Sequence, residues 1–250
     1  AHGILGILPY NAHMEGTITY DGAPLTPKRA AALRGREIVL VPQSVSYLDP
    51  LRKVGPQVGR DRKAVRAVLD RYGLGPETEG LYPFQLSGGM ARRVLISTAV
   101  AASPALVIAD EPTPGLDVRA AGRILGHFRE LANAGAGVLL ITHDLELALT
   151  IADKVAVFYA GETVEEAPAG DFDRLEDLRH PYTRALWRAL PQHGFHPIPG
   201  TQPYPGALPE GCPFAPRCPK RTAECGGEVP YRPLDGGFVR CLHPERGNAS

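Results

Sequence analysis

The chain has 250 residues, enough for one large domain or a domain with an appendage, and its 44% hydrophobic content supports a real core. Its 27 basic and 27 acidic residues cancel, so no net field favours nucleic acid or acidic lipid. No apolar run reaches the ~18 residues needed to cross a bilayer, and HGILGILPY at 2–10 is too short and lacks the basic flank of a signal peptide. These bounds predict a cytosolic protein that meets a membrane only through a partner. Arginine outnumbers lysine 22 to 5, which points to a GC-rich genome more than to a function. The chain opens at Ala1 and its first methionine is Met14, so Ala1 is read as a cut, a processed end or the edge of a fragment.

MEGTITY at 14–20 alternates like a strand, and Asp21-Gly22 is a hairpin-type turn. Residues 27–33 read as a short helix. EIVLV at 37–41 is a buried strand ending at Pro42-Gln43. DRKAVRAVLDRY at 61–72 carries apolar residues at helical spacing, with Gly73 as its stop. Ser87 is placed to N-cap a helix running to about Ala102, stopped by Ser103-Pro104. Then follow a strand at 105–109, a helix at 119–133 closing near Gly135, a strand at 137–141, a helix at 145–152 and a strand at 154–158. This alternation predicts an α/β layer around a largely parallel sheet. After about Pro191 the character changes. The last 60 residues hold about half of the prolines and all four cysteines, with little periodicity. They predict a tail or small subdomain stapled by something other than a hydrophobic core.

Three motifs carry chemistry. In VIADEPTPGLD at 107–117, Asp110 and Glu111 end an apolar strand, where ligands bind in open α/β folds. One carboxylate there can hold Mg²⁺, usually through water, and the next can polarise an attacking water. An Asp-Glu pair alone is as often an ordinary strand end; PTPGLD directly after it tips the reading to function. His143, in ITHD at 141–144, again ends a strand and can reach a γ-phosphate, although a lone histidine is more often structural. In LSGGM at 86–90, Ser87-Gly88-Gly89 opens a helix. Its N–H groups and positive end favour an anion, and glycines allow close approach. A Gly-Gly helix start is weak by itself; LSGGM followed by Arg92-Arg93-Val94 is strong. Gln43, after its strand, is placed to reach Mg²⁺ or the attacking water.

In this order the motifs resemble the ATP-binding subunits of ABC transporters, over nearly the whole chain. The fold implied is a P-loop NTPase-like α/β core with a helical signature subdomain. Gln43 matches the family's Q-loop, and Leu86 to Met90 match its signature, with Met90 where most members have glutamine. Leu106 to Asp110 match Walker B, Glu111 the presumed catalytic base, Pro114 to Asp117 the D-loop, and His143 the switch histidine. HPYTRALWRALP at 180–191 and GCPFAPRCP at 211–219 look like the oligopeptide, dipeptide and nickel importer branch. The resemblance implies ATP held by Gln43, Ser87, Gly88, Gly89, Asp110 and Asp117, with Mg²⁺ at Asp110 and Gln43. It implies hydrolysis by Glu111 and His143. It also implies a membrane permease and a second ATPase subunit, a heterodimer over a homodimer, with an extracellular solute-binding protein acting indirectly and no nucleic acid. The place implied is the cytoplasmic face of the inner membrane, peripherally bound.

The domain organisation expected is an ATPase domain at 1–190, its helical part at about 50–102, and an extension at 191–250. One departure stands out. A Walker A loop reads GxxxxGK[ST], yet no Gly-Lys pair occurs; the five lysines follow Pro27, Arg52, Arg62, Asp153 and Pro219. N-terminal truncation is the parsimonious reading, and it predicts little or no ATPase activity for this chain alone. The signature would still serve a partner's nucleotide, and a non-catalytic partner subunit is the alternative.

Cys212, Cys218, Cys225 and Cys241 fall within thirty residues. A cytosolic site disfavours disulfides, and their spacing is not that of a zinc ribbon. Four thiolates can hold a metal or an iron–sulfur cluster, or stay free. The branch resemblance implies a 4Fe–4S cluster in some members. His193, His196 and His243 nearby read as exposed loop histidines.

Overall fold

The computed structural model describes residues 1–245. The chain divides into two compact units, Ala1–Leu145 and Glu146 onward.

In the first unit, a short helix α1 (His2–Leu5) is followed by a hairpin of β1 (Thr19–Tyr20) and β2 (Ala23–Pro24). Asp21 and Gly22 take φ of 49° and 70°, the left-handed pair that a two-residue hairpin turn requires. The predicted strand at 14–20 is shorter than expected. Its partner arm ends because Pro27 starts α2 (Pro27–Leu33), so beyond Thr19 only the Ile18 carbonyl finds a further bond, from Leu25 N–H. Helix α2 is capped by Thr26, whose hydroxyl accepts from Arg29 N–H. Strand β3 (Ile38–Val41) follows, then α3 (Val54–Val58) and α4 (Arg62–Arg71). Asp61 caps α4, and Gly73, at φ 65°, ends it as predicted.

Helix α5 (Gly88–Val100) begins at its Ser87 cap. Strand β4 (Leu106–Asp110), helix α6 (Val118–Asn133) and strand β5 (Gly137–Ile141) complete the layer. The sheet order is β3-β4-β5, all parallel, with β4 central. Val107, Ile108 and Ala109 are fully buried, as a strand covered on both faces requires. Helix α5 buries Val94, Leu95 and Ile96, and α6 buries Ile124, Leu125 and Phe128. Each such side chain contributes roughly 1.5–3 kcal/mol when fully buried.

Helix α7 (Leu145–Leu149) is shorter than the predicted 145–152. Its end tightens: Thr150 N–H bonds the Leu147 carbonyl three residues back, and the Thr150 hydroxyl donates to the same oxygen.

The second unit holds β6 (Lys154–Tyr159), β7 (Glu162–Pro168), α8 (Pro181–Arg188), β8 (Tyr231–Leu234) and β9 (Gly237–Arg240). Its sheet is antiparallel, in the order β6-β7-β9-β8. The expectation of a parallel sheet therefore holds for β3, β4 and β5 and fails here. Composition changes at about residue 190, yet the compact units part at 145/146. The reason is that β9 pairs with β7, Glu165 opposite Val239 and Glu166 opposite Phe238, which draws the Pro-rich segment into the same unit. A buried ion pair lies beneath. The Glu165 carboxylate accepts from Arg179 N–H and His180 N–H at 2.8 Å each, and from the Arg179 guanidinium at 3.4 Å. Asp171 also pairs with Arg179 at 2.8 Å.

Candidate functional site

Parallel strands send their C-terminal ends to one edge, where open α/β sheets bind ligands. The register sets Val41 beside Ala109, and Asp110 beside Ile141. Gln43, the pair Asp110–Glu111, and His143 therefore leave three adjacent strands at one edge. Glu111 takes φ 45°, a left-handed conformation that costs a non-glycine residue on the order of 1–3 kcal/mol. The surroundings hold it there. Its N–H donates to the Ile141 carbonyl at 2.9 Å, and its Oε1 accepts from His143 N–H at 3.1 Å.

The same Oε1 stands 2.8 Å from His143 Nδ1. Thr142, which the sequence reading passed over, donates from Oγ1 to Glu111 Oε2 at 3.5 Å. The Thr142 oxygen also accepts from Asp144 N–H at 3.1 Å, fixing the turn that carries His143. The hydrogen bond and negative charge of Glu111 raise the His143 pKa above its ordinary value. His143 is largely exposed, so the pair is soft: an outward-facing imidazole clasped to a carboxylate that is mostly covered. A carboxylate held at a strand end by a movable donor is arranged to orient a water once the donor turns to another anion.

Ser87, Gly88 and Gly89 stand apart from that pair; no hydrogen bond joins them to Glu111 or His143 among the described residues. The Ser87 hydroxyl accepts from Met90 N–H at 3.3 Å and caps α5. A methyl at Gly88 would meet nothing within 4 Å, and one at Gly89 only Leu116 at 3.8 Å. Packing within the chain thus does not demand either glycine. Two arginines seat the helix. Arg92, nearly buried, donates to the Pro42 carbonyl at 3.1 Å, tying α5 to the residue before Gln43. Arg93 donates to the carbonyls of Tyr72 and Gly73 at 3.0 and 2.9 Å. The Asp117 carboxylate, expected at the nucleotide, is engaged locally. It accepts from Ala120 N–H at 2.8 Å and caps α6, and that bond is the largest cause of its lowered pKa.

The four cysteines are free of disulfides and line one cavity, with His180, Lys220 and His243 on the same wall. Burial pushes the thiols of Cys212 and Cys218 up, and that of Cys241 up to about 11. The Thr222 hydroxyl stands 3.7 Å from Cys225 Sγ, and the backbone N–H groups of Phe214 and Ala215 near Cys212, of Lys220 near Cys218 and of His243 near Cys241 oppose part of that rise. The loop is held closed by Cys212 N–H on the Cys225 carbonyl at 2.9 Å. Gly211, at φ 73°, permits it, because a methyl there would fall 2.3 Å from that carbonyl. Among the described residues, no three His, Cys, Asp or Glu side chains converge on a single ion. The donor set still fits a cluster, in which each thiolate binds a different iron and the sulfurs surround a volume rather than a point. The free space, about 10 Å³, is close to that of one water and does not seat a cluster as it stands. His193 stacks on Trp187 and is not at this cavity.

Comparison with known proteins agrees with this geometry. Residues 4–114 match the family model of the ABC transporter, and residues 164–225 match that of the oligopeptide/dipeptide transporter C-terminal region. The chain is 35% identical to the dipeptide transport ATP-binding protein DppD of Bacillus subtilis, covering 96% of this chain and 80% of that one. It is 37% identical to a putative peptide import ATP-binding protein of Brucella ovis, covering 85% and 70%. The dimeric ATP-binding cassette MJ0796, in a post-hydrolysis state with ADP and Pi, superimposes with a TM-score of 0.56 at 25% identity. That match covers 62% of this chain and 74% of that one. The chain therefore belongs to the ABC transporter family, among the ATP-binding subunits of the oligopeptide and dipeptide branch, in which ATP hydrolysis is coupled to import.

Proposed function

We propose that this chain powers import of peptides, nickel or a metal–metallophore complex. It would do so beside a second, different ATPase subunit, on permease subunits at the cytoplasmic face of the membrane. The observation that carries the reading is the single sheet edge bearing Gln43, Asp110, Glu111 and His143. Asp110 and Gln43 are the residues to hold Mg²⁺, through oxygen donors that suit a hard cation. Glu111 orients the attacking water, and His143 leaves the carboxylate to meet the γ-phosphate. Charge neutralisation and positioning then do most of the work of phosphoryl transfer. No helix of the described residues is long and apolar enough to cross a membrane, which suits peripheral attachment through the surface around Gln43 and residues 60–86.

These 250 residues contain no Gly-Lys pair to cradle the triphosphate of their own site. We infer that they contribute chiefly Ser87, Gly88 and Gly89 to the nucleotide of the partner subunit. The two glycines, free of any packing demand, support that reading, since they leave room for a phosphate brought from outside the chain. The four cysteines are read as a 4Fe–4S site that staples the irregular segment, with no redox step on a substrate.

The test is ATP hydrolysis by the isolated chain, and by the chain assembled with a permease and a second ATPase subunit carrying its own GxxxxGK[ST] loop. The isolated chain is expected to be inactive, and the assembly active and sensitive to Gly89→Asp. Vigorous hydrolysis by the isolated chain, abolished by Glu111→Gln, would refute the division of labour. Uptake of labelled peptide against nickel in proteoliposomes identifies the cargo. Brown colour and iron in anaerobically purified protein test the cluster.

A further inference from the structure

Two apolar side chains of the first unit stand in water on turns that the chain itself holds fixed. Leu51 is 86% exposed and Phe84 is 74% exposed. The Leu51 turn is tied by Gln57 of α3. Gln57 Oε1 accepts from Asp49 N–H at 2.8 Å, and Nε2 donates to the Asp49 and Arg52 carbonyls at 3.0 and 2.8 Å. The Asp49 carboxylate accepts from Leu51 N–H at 2.9 Å. Phe84 lies in the short turn Pro83–Gln85, where Gln85 Oε1 accepts from Tyr82 N–H at 2.8 Å. Its ring stacks on that of Tyr82, centroids 5.5 Å apart. The two turns are neighbours: Val54 N–H donates to the Leu81 carbonyl at 2.9 Å, and Lys53 Nζ stands 5.9 Å from the Tyr82 ring centroid.

A side chain on a fixed turn loses little freedom when a partner covers it, so exposed leucine and phenylalanine placed this way suit anchors. The charge beside them is one-sided. Arg52 and Lys53 are exposed and have no carboxylate partner among the described residues. Arg52 donates to the Pro56 carbonyl at 3.5 Å, and Lys53 lies over Tyr82. Apolar anchors flanked by unpaired cations fit an apolar surface bordered by carboxylates. Two cations are fewer than the four to eight that mark binding to anionic lipid, which favours a protein.

We propose that Leu51 and Phe84 anchor the chain to a permease, inserting into an apolar patch on a cytoplasmic loop whose flanking carboxylates meet Arg52 and Lys53. This rests on the reading of the chain as a permease-bound subunit. The placement gives the contact a consequence. Phe84 stands three residues before Ser87, the cap of α5, and Leu51 eight residues after Gln43. Arg92 of α5 holds the Pro42 carbonyl, so the two segments are also joined behind the surface. Movement of the loop is thereby passed to the segments that carry Gln43 and Ser87.

The experiment uses the full chain co-expressed with its permease subunits and a second ATPase subunit, in mild detergent. A photo-crosslinking benzoylphenylalanine in place of Phe84 should label one permease loop, within a segment bearing carboxylates. Leu51→Asp should weaken assembly with the permease at least about tenfold at an unchanged melting temperature. Lys53→Glu should weaken it less, by an amount that shrinks at high salt. Phe195→Asp, at an exposed aromatic of the second unit, is the control and should assemble like wild type. Labelling of the second ATPase subunit instead, or a Leu51→Asp chain that assembles no worse than the control, overturns the proposal while the permease reading stands. Binding of the wild-type chain to phosphatidylglycerol vesicles, lost in Leu51→Asp, assigns the surface to lipid and equally overturns it. A wild-type chain that does not assemble with the permease overturns both.

Discussion

Glu111 and His143 show how a strained residue is kept for use. Glu111 sits at φ 45° because three groups from the 141–143 turn hold it: the Ile141 carbonyl accepts from its N–H, and His143 N–H and Nδ1 meet its carboxylate. The raised pKa of His143 gives the pair a pH signature. Its contribution is fully present below the ordinary imidazole range near 6.5 and is lost as pH rises through the higher folded value. A ¹H–¹⁵N titration should show His143 titrating above that range, and Glu111→Gln should bring it back down. An unshifted His143 in the wild type would mean the clasp does not form in solution. The glycines of α5 give a second prediction. Gly88→Ala adds a methyl into open space and improves helix propensity by up to about 1 kcal/mol, so the melting temperature should hold or rise. Hydrolysis by the partner assembly should fall nonetheless; activity that survives unchanged would remove the need for close approach there.

At the scale of elements, magnitudes separate what holds the units together. The Asp117 cap of α6 should contribute about 1 kcal/mol, measurable as a lower urea midpoint in Asp117→Ala. The Arg179–Glu165 pair is of another order, because both side chains are nearly or wholly removed from water. Glu165→Ala strands two buried backbone donors and leaves Asp171 as the guanidinium's remaining carboxylate, and should cost about 3–5 kcal/mol. The exposed Arg174–Asp177 pair is the control; Arg174→Ala should cost less than about 1 kcal/mol. Equal losses from the two substitutions would show that the buried network carries no special weight. Most element boundaries were legible because the deciding signals are local. Thr26, Asp61 and Ser87 cap helices where side-chain oxygens meet free N–H groups, and Gly73 ends one. The end of α7 was not legible, since a single hydroxyl competing for the Leu147 carbonyl tightens the last turn.

For the whole molecule, the strand pairing of β7 with β9 makes the segment after residue 190 part of the second unit's fold. A chain ending at residue 190 should lose the cooperative unfolding of that unit. It leaves the edge of β7 unpaired and removes the Leu234 and Asp235 carbonyls that accept from Arg179. An unchanged urea transition in that shortened chain would count against this account. The hairpin turn, Asp235-Gly236 at φ 46° and 80°, is a two-residue turn signal that the sequence analysis passed over in this proline-rich segment. By itself the sequence determined the motif order and the strand ends that carry Asp110, Glu111 and His143, because apolar periodicity and turn chemistry act over a few residues, and the motifs pointed to the family by resemblance. Tertiary structure alone decided that Glu111 is clasped by His143 and Thr142, that the sheet of β6 to β9 is antiparallel, and that four cysteines and His180 share one cavity. Those outcomes depend on contacts between residues tens of positions apart, whose geometry no local pattern encodes.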